Sequence, residues 1–365
     1  MAHRTVSKPS RKQITSPRSI NQSRTRSLNR ERGKAFTPAI HHGDDGTTTC
    51  WDLLAYSIIV DDIVRHDGTT FMERLGGGGP QTIFGARVFA HAADKQTNVA
   101  LCARVGNDLP DACLSWLREM GVDLAAIAYD EHLPTPRAWQ VCERDGKRTQ
   151  VWRTQHGDGQ IAMLRPAWCA ETVAAHVVHL GIDVEHPPWD VLAGAREAGA
   201  LVSVETFKPT SAPLTSQALA KLSSAVDVLS PNIVEARAML GDDETVDAKS
   251  AAVRLRDEHG FENALVRAGE LGAVYAHRGG VCVAPAVGNV DVVDETGCGN
   301  ACCGAFVSAM HDRQSPADCL AWGMTAASFM LEHVGVPEAT LPKTVELEAR
   351  ARYHVVRERT LDKVM

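Results

Sequence analysis

The chain has 365 residues, 44% of them hydrophobic and 5% aromatic, with a formal net charge of −7; that is apolar material for one large or two ordinary globular domains and the wrong sign for a general nucleic-acid surface. The charge is uneven, because residues 1–49 hold ten Lys and Arg against three acids, while the rest holds 28 against 42. No apolar run reaches the roughly 18–20 residues of a membrane span, and residues 1–30 lack the apolar centre of a secretory signal.

Residues 1–49 form a basic tail, rich in Arg and Ser, in which Pro9 and Pro17 interrupt any helix. Three readings stay open for it: an unstructured tail, an organelle transit peptide, or a contact to RNA or an anionic surface. The expected location is cytoplasmic, or mitochondrial or plastid under the second reading. Ten cysteines include no CxxC pair, so small buried thiols in a reducing compartment are expected rather than a zinc site.

The body starts near Cys50. Residues 51–64, "WDLLAYSIIVDDIV", predict a first strand that ends on Asp61 and Asp62. "GGGGPQTIFGARVFAHAA" predicts a glycine turn opening an apolar-faced helix, and "NVALCARVGND" a buried strand. "PDACLSWLREMGVD" predicts an amphipathic helix closed by Gly121. Residues 135–154 alternate around Asp145-Gly146, a hairpin signal. Regular alternation follows, with strands at 174–182, 200–207, 226–232 and 262–269. Helices are predicted at 187–199, 215–225, 233–241 and 247–260 between them, then a hairpin around Gly279-Gly280. A helix over Ala301–Met310 and another over 316–335 close the body. Such alternation implies an α/β fold with a mostly parallel sheet covered on both faces. The early hairpin does not fit the alternation and is expected to project as a small separate sheet.

"VVDETGCGNACCGAF", residues 292–306, carries the chemistry. Gly297 and Gly299 let backbone approach backbone closely, and the helix behind them points its first amides, near Gly299, Asn300 and Ala301, back into the turn. Either this is an anion site, most often for phosphate, or the glycines serve only tight packing at a helix start. A dinucleotide fingerprint and a Walker A loop both fail here, since no glycine follows Gly299 until Gly304 and no Lys follows the glycines.

In order, "SIIVDDIV", "GGGGPQTIFGA", "RVGND", "SPNIVEARAML", "VRAGELGAV" and "DVVDETGCGNACCGAF" resemble the ribokinase (PfkB) family of carbohydrate and nucleoside kinases over about residues 50–340. The resemblance implies a ribokinase-like three-layer α/β/α fold with a mostly parallel sheet and a small β lid. It divides the chain into a tail 1–49, a kinase domain 50–345 with its lid, and a C-terminal helical extension 346–365. It implies ATP and Mg as cofactors, a small-molecule sugar or related acceptor as partner, no membrane, no nucleic acid on the body, and a homodimer left open. Residue by residue, it implies that Asp61 binds acceptor hydroxyls beside the glycine turn Gly76, Gly77 and Gly79. Asn232 and Glu235 match an NxxE motif that organises Mg indirectly around the phosphates, and Gly269 matches a glycine near the nucleotide. Gly297, Cys298 and Gly299 match the anion hole. From the residues alone, Asp61 also reads as a solvated strand-end acid and Glu235 as an exposed helix acid.

Two positions depart from the family pattern. Gln81 stands where an Asn contacts the sugar, one methylene longer. Asn300 stands where an Asp takes the proton from the attacking hydroxyl, and an amide is a very poor proton acceptor. Asn300 and the glycine-rich first turn resemble a branch similar to the yeast killer-maintenance protein, from which no substrate follows. The expected function is therefore ATP-dependent phosphate transfer to a hydroxyl of a small molecule, slow because of Asn300. The alternative is a noncatalytic relative that binds nucleotide or sugar in a regulatory or assembly role.

Overall fold

The computed structural model describes residues 50–144, 148–153, 157–166, 174–343 and 356–358; the basic tail lies outside the described residues. Residues 51–64 are two strands, not the one expected. Strand β1 (Cys50–Tyr56) and strand β2 (Ile59–Val64) belong to different sheets. The break is Ser57, which adopts φ 72° and turns the chain between them. Strand β3 (Thr70–Gly76) follows, then helix α1 (Gly78–Ala92), β4 (Val99–Gly106), α2 (Asp111–Glu119), β5 (Val122–Asp123) and β6 (Ile127–Asp130). The hairpin is β7 (Arg137–Cys142) and β8 (Arg148–Trp152), antiparallel as expected, with its turn outside the described residues. A short helix, α3 (Asp158–Ala162), precedes β9 (Ala174–Ile182).

The alternation then runs α4 (Trp189–Glu197), β10 (Leu201–Thr206), α5 (Ser216–Ala225), β11 (Val228–Ser230), α6 (Ile233–Leu240), α7 (Ala248–Asp257) and β12 (Asn263–Arg267). Strands β13 (Ala273–His277) and β14 (Gly280–Ala284) form the second hairpin, followed by α8 (Cys298–His311) and α9 (Pro316–Leu331). Sequence caps set several starts: Thr215 accepts from the Ala218 amide, Asp247 from Ser250, and Ser315 from Asp318 with Pro316 at the first helical position. The expected helical extension is described only at 356–358, where the backbone is instead a strand, β15 (Val356–Glu358), antiparallel to β14. The open edge of β14 offers unpaired backbone groups, which a short strand satisfies and a helix would not.

The main sheet runs β15-β14-β13-β12-β11-β10-β9-β1-β4-β5, with β6 also on β4. From β12 to β5 the pairings are parallel, and β13 to β15 are antiparallel. One face is packed by residues of α1, α2, α8 and α9, including Phe84, Leu117, Phe306 and Leu320. The other is packed by residues of α4 to α7, including Leu192, Leu222, Met239 and Leu255. The lid is a second sheet, β3-β2-β7-β8, in which β2 and β7 pair in parallel. The early hairpin is therefore one half of the lid; β3, unmarked by any alternation, completes it.

Helices α1 and α8 press together backbone to backbone. A β-carbon on Gly85 would lie 1.9 Å from the Ala301 carbonyl, and one on Gly304 would lie 1.9 Å from the Thr82 carbonyl. Each helix thus contributes a glycine where the other's backbone passes, and this fixes the first turns of the two helices side by side.

Candidate active site

The N-terminus of α8 is open. Gly297, at φ 83°, is the residue before the helix, and the Ala301 amide bonds the Gly297 carbonyl at 2.9 Å. The Cys298 amide bonds the Glu295 carbonyl at 3.4 Å, so the unbonded amides at this turn, among the described residues, are those of Gly297, Gly299 and Asn300, and not that of Ala301 as expected. First-turn amides and the helix dipole together favour an anion here. Cys298 is not poised as a nucleophile: burial, then Asp294, pushes its thiol well above the ordinary range.

A cation already stands at this helix start. A β-carbon on Gly299 would lie 1.7 Å from Arg267 Nη1, so the guanidinium lies against the turn. Arg267 ends β12 and donates through Nη2 to the Ser230 carbonyl at 2.7 Å. The same Nη2 lies 3.5 Å from Glu205 Oε2 and 4.0 Å from Glu235 Oε2. Burial opposes the Arg267 cation, but Cys303, then the Glu205 and Glu235 carboxylates, outweigh it and hold its proton more firmly than usual. Burial pushes Glu205 up to about 7 in spite of Arg267, and the neighbouring Glu235 adds to the rise. His179, Glu205 and Cys303 also converge beneath the turn, and burial, with Arg267, holds His179 down at about 3.

Asn232 and Glu235 form a capping box on α6: the Glu235 amide bonds Asn232 Oδ1 at 2.9 Å, and the Asn232 amide bonds Glu235 Oε2 at 2.8 Å. Thr206 Oγ1 also donates to Oε2. Glu235 is buried, not the exposed helix acid the sequence alone allows. These bonds fall on Oε2 and leave Oε1 without a hydrogen bond among the described residues. The donor set is oxygen-rich and suits Mg held through water, while Arg267 stands too close for direct ligation by both acids. Gly269 has φ 58° with open space where a side chain would be, two residues beyond Arg267 on the same loop.

Asp61 is the second centre. It is 3% exposed on lid strand β2, so it is not a solvated strand-end acid. Gln140 Nε2, on the parallel neighbour β7, donates to its Oδ1 at 2.8 Å. Burial pushes Asp61 up to about 6, against the Gln140 bond and Arg148. The glycine turn joins the two centres. A β-carbon on Gly76 would lie 1.9 Å from Asp61 Oδ2, and one on Gly78 would lie 3.0 Å from Asn300 Oδ1. Two residues span at most about 7 Å, so Asp61 and Asn300 face neighbouring points of one turn. A β-carbon on Gly77 would meet the Ile59 amide and one on Gly79 the Ser57 carbonyl, so these two glycines of the turn also let it pack against the β1–β2 junction. Gln81 is buried on α1; its side chain lies where a Gly297 β-carbon would be and accepts from Asn300 Nδ2 at 2.9 Å. Asn300 Oδ1 is buried and carries no hydrogen bond among the described residues.

A cavity of about 330 Å³ opens between the lid and residues 292–296, with Ile63, Arg65, Cys142, Arg144, Arg148 and Thr296 in its wall. Arg267, Glu205 and Gln140 were not singled out from the sequence. A charged residue ending an otherwise apolar strand was the available signal for the first two; Gln140 offered none, since its partner lies 79 positions away.

A mostly parallel sheet, an open helix start and a lid carboxylate beside the same glycine turn come together at one end of an α/β scaffold, and in such folds the crevice lies at the carboxyl ends of the strands. The family model described as pfkB family carbohydrate kinase matches residues 49–344, and the chain belongs to that family. A 1-phosphofructokinase of Haloferax volcanii is 33% identical over 144 residues, 39% of this chain and 46% of that protein, so the match spans under half the relative's length. Among solved structures, the chain is similar to Arabidopsis thaliana ribokinase complexed with ribose and ATP, at 20% identity and TM-score 0.63, covering 84% of this chain and 100% of that one. It is also similar to a putative ribokinase II from E. coli in complex with ATP and Mg, at 15% identity and TM-score 0.64 over 83% and 100%. At these identities the structures establish the fold, which is ribokinase-like. No helix among the described residues is long and apolar enough to cross a membrane.

Proposed function

We propose that the protein transfers a phosphoryl group from ATP to a hydroxyl of a small carbohydrate, slowly, with Asn300 where the family pattern has an acid. The observation that carries this reading is the single glycine turn whose Gly76 abuts Asp61 and whose Gly78 abuts Asn300. An acceptor hydroxyl held by Asp61 is then within a few ångströms of the open start of α8. ATP with Mg supplies the phosphoryl group. The amides of Gly299 and Asn300, with Arg267, stabilise the charge on it. Phe207, Val234 and Leu271 are exposed apolar side chains just beyond β10, β11 and β12, a fitting floor for a base on the same sheet end. Asn300 Oδ1 accepts a hydrogen bond from the acceptor hydroxyl and so aims it, but the proton leaves to water or a phosphate oxygen. Arg65, Arg144 and Arg148 have no carboxylate partner within ion-pair reach among the described residues, which favours an acceptor that carries an anionic group of its own.

A second reading, a protein that binds these ligands without transfer, is favoured by the neutral Asn300. One experiment separates the two: ADP formation and acceptor phosphorylation followed by ³¹P NMR with ATP-Mg, across neutral sugars, phosphorylated sugars and nucleosides. Stoichiometric acceptor phosphate supports transfer. Thermal stabilisation by the ligands without any product, in wild type and in Asn300→Asp alike, replaces it with the binding reading.

A further inference from the structure

At the other end of α8, four side chains from three elements meet. Cys50 and Asp52 alternate onto one face of β1. His176 lies opposite Asp52 in the parallel register, between the pairs Trp51–Ala175 and Leu53–Val177. His311 is the last residue of α8. Cys50 Sγ is 3.4 Å from His176 Nε2. Ligand atoms of Asp52, His176 and His311 all lie within 4.8 Å of one another. The His176 and His311 rings stack at 5.0 Å with 21° between planes.

We propose that Cys50, Asp52, His176 and His311 form a structural zinc site. Tetrahedral Zn²⁺ with bonds of about 2.0–2.3 Å sets its donor atoms roughly 3.3–3.6 Å apart. The Cys50–His176 separation already falls in that range; Asp52, His176 and His311, within 4.8 Å of one another, need to close by up to about 1.5 Å, and the exposed Cys50 must turn its thiol in toward Asp52 and His311. One thiolate, one carboxylate and two neutral imidazoles neutralise a divalent ion, and this soft set prefers Zn²⁺ to Mg²⁺ or Ca²⁺. Asp52 is aimed from behind: its Oδ2 accepts from the Asn98 amide at 2.7 Å, which leaves Oδ1 for the ion. The neighbouring acid, Asp312, is committed to Lys95. Without metal, burial and Asp52 push the Cys50 thiol up; on binding, Zn²⁺ replaces that proton, which goes to solvent, and an S–Zn bond forms.

The site is remote from the chemistry. Helix α8 has 14 residues, about 20 Å at 1.5 Å per residue, with the anion turn at its start and His311 at its end. The metal would fasten α8 to β1 and β9, the middle of the sheet, and so brace the helix whose other end carries the turn.

The test uses the full chain, stripped with EDTA and titrated with Zn²⁺ against a chromophoric chelator, and in parallel with Co²⁺ as a spectroscopic stand-in. One equivalent should bind and raise the melting temperature, and Co²⁺ should give a thiolate-to-cobalt charge-transfer band with tetrahedral d–d intensity. Cys50→Ser should abolish that band, and His311→Ala should lower affinity at least tenfold, while ATP affinity stays unchanged in both. No stoichiometric binding, or binding that both variants retain undiminished, overturns the proposal.

Discussion

Asn300 Nδ2 donates to Gln81 Oε1 over 2.9 Å, across 219 positions of chain. These are the two residues that depart from the family pattern, and the contact makes them one unit. Gln81 is long enough to reach past the bare Gly297 to Asn300, and only an amide or another donor at 300 gives its Oε1 a proton. The bond turns Asn300 Oδ1 away from Gln81, toward the glycine turn, where it is left without a partner.

Gln81→Ala should therefore loosen Asn300 rather than the nucleotide. The half-buried Asn300 amide loses its acceptor, which costs up to about 1–3 kcal/mol, the full figure applying only to a donor shut off from water. Acceptor KM should rise several-fold with ATP affinity unchanged. Titrations of the two ligands separately check this; equal loss of both would mean that Gln81 supports the anion turn instead.

Gly299→Val should remove nucleotide binding from a folded protein. The added β-carbon falls 1.7 Å from Arg267 Nη1, so the guanidinium must shift from the turn at some cost in stability while its Nη2 keeps the Ser230 carbonyl. The displaced guanidinium and the branched side chain then spoil the anion site together. Isothermal titration with ATP-Mg, alongside circular dichroism, measures both; unchanged affinity sinks the assignment of the turn.

Asp61 should give a pH signature. Its carboxyl is raised by burial to about 6, and only the ionised form accepts two acceptor hydroxyls. In the free enzyme kcat/KM for the acceptor should fall about tenfold per pH unit below 6 and flatten above it. Because the folded-state value exceeds the unfolded one, the ionised group costs stability, a cost that sets in between about pH 4 and 6 and persists above. Asp61→Asn should thus melt no lower than wild type at pH 8, yet lose acceptor binding and the inflection. An undisturbed pH profile in Asp61→Asn would assign the inflection elsewhere.

The layers were legible because period two and period 3.6 differ clearly from residue 174 onward, where apolar parallel strands alternate with capped helices. The β1–β2 break was not, since "SIIV" continues the apolar run and only the left-handed Ser57 ends it. Strand β3 escaped because five of its seven residues are exposed or half-buried, with no clean alternation. In the site, the glycines and Asn300 announced themselves by local spacing. Arg267, Glu205 and Gln140 did not, because their meaning lies in partners brought together by sheet order. Glu235 carried two readings, exposed helix acid and phosphate-site acid; it is buried, and its role in the helix cap, which takes one carboxylate oxygen, was not read from the sequence.

Arg267→Met should test the cation. It leaves Glu205 and Glu235 buried with no counter-charge, a break that typically costs about 3–5 kcal/mol. The loss should be greater at pH 8 than at pH 6. Glu205 is already raised to about 7, and without Arg267 it rises further, so at pH 6 it is protonated and the pocket holds one charge fewer; above that value the full repulsion returns. Melting curves at the two pH values check the sign, and an equal loss at both would show that Glu205 keeps one charge state between them. Nucleotide affinity should fall in parallel.

Asn300→Asp should raise turnover. A positioned base contributes about 10²–10⁴ in rate, and wild type lacks one at the open start of α8. The substitution keeps the shape but changes the proton inventory: the carboxylate cannot donate to Gln81 Oε1, so Gln81 must turn its Nε2 toward residue 300. Gln81 has the freedom for one amide flip, which satisfies one carboxylate oxygen and leaves the other for the acceptor hydroxyl. Some of the gain is lost to repulsion between the new carboxylate and the phosphates, which Mg and Arg267 screen. The net expectation is a rise of about 10–10³ in kcat with a modest loss of ATP affinity, the lower part of the usual base contribution. Both quantities need measuring, together with solvent isotope effects that report whether proton transfer enters the slow step. If wild type already turns over as fast as Asn300→Asp on its best acceptor, Asn300 is not what limits the rate, and proton removal falls to another group at the site.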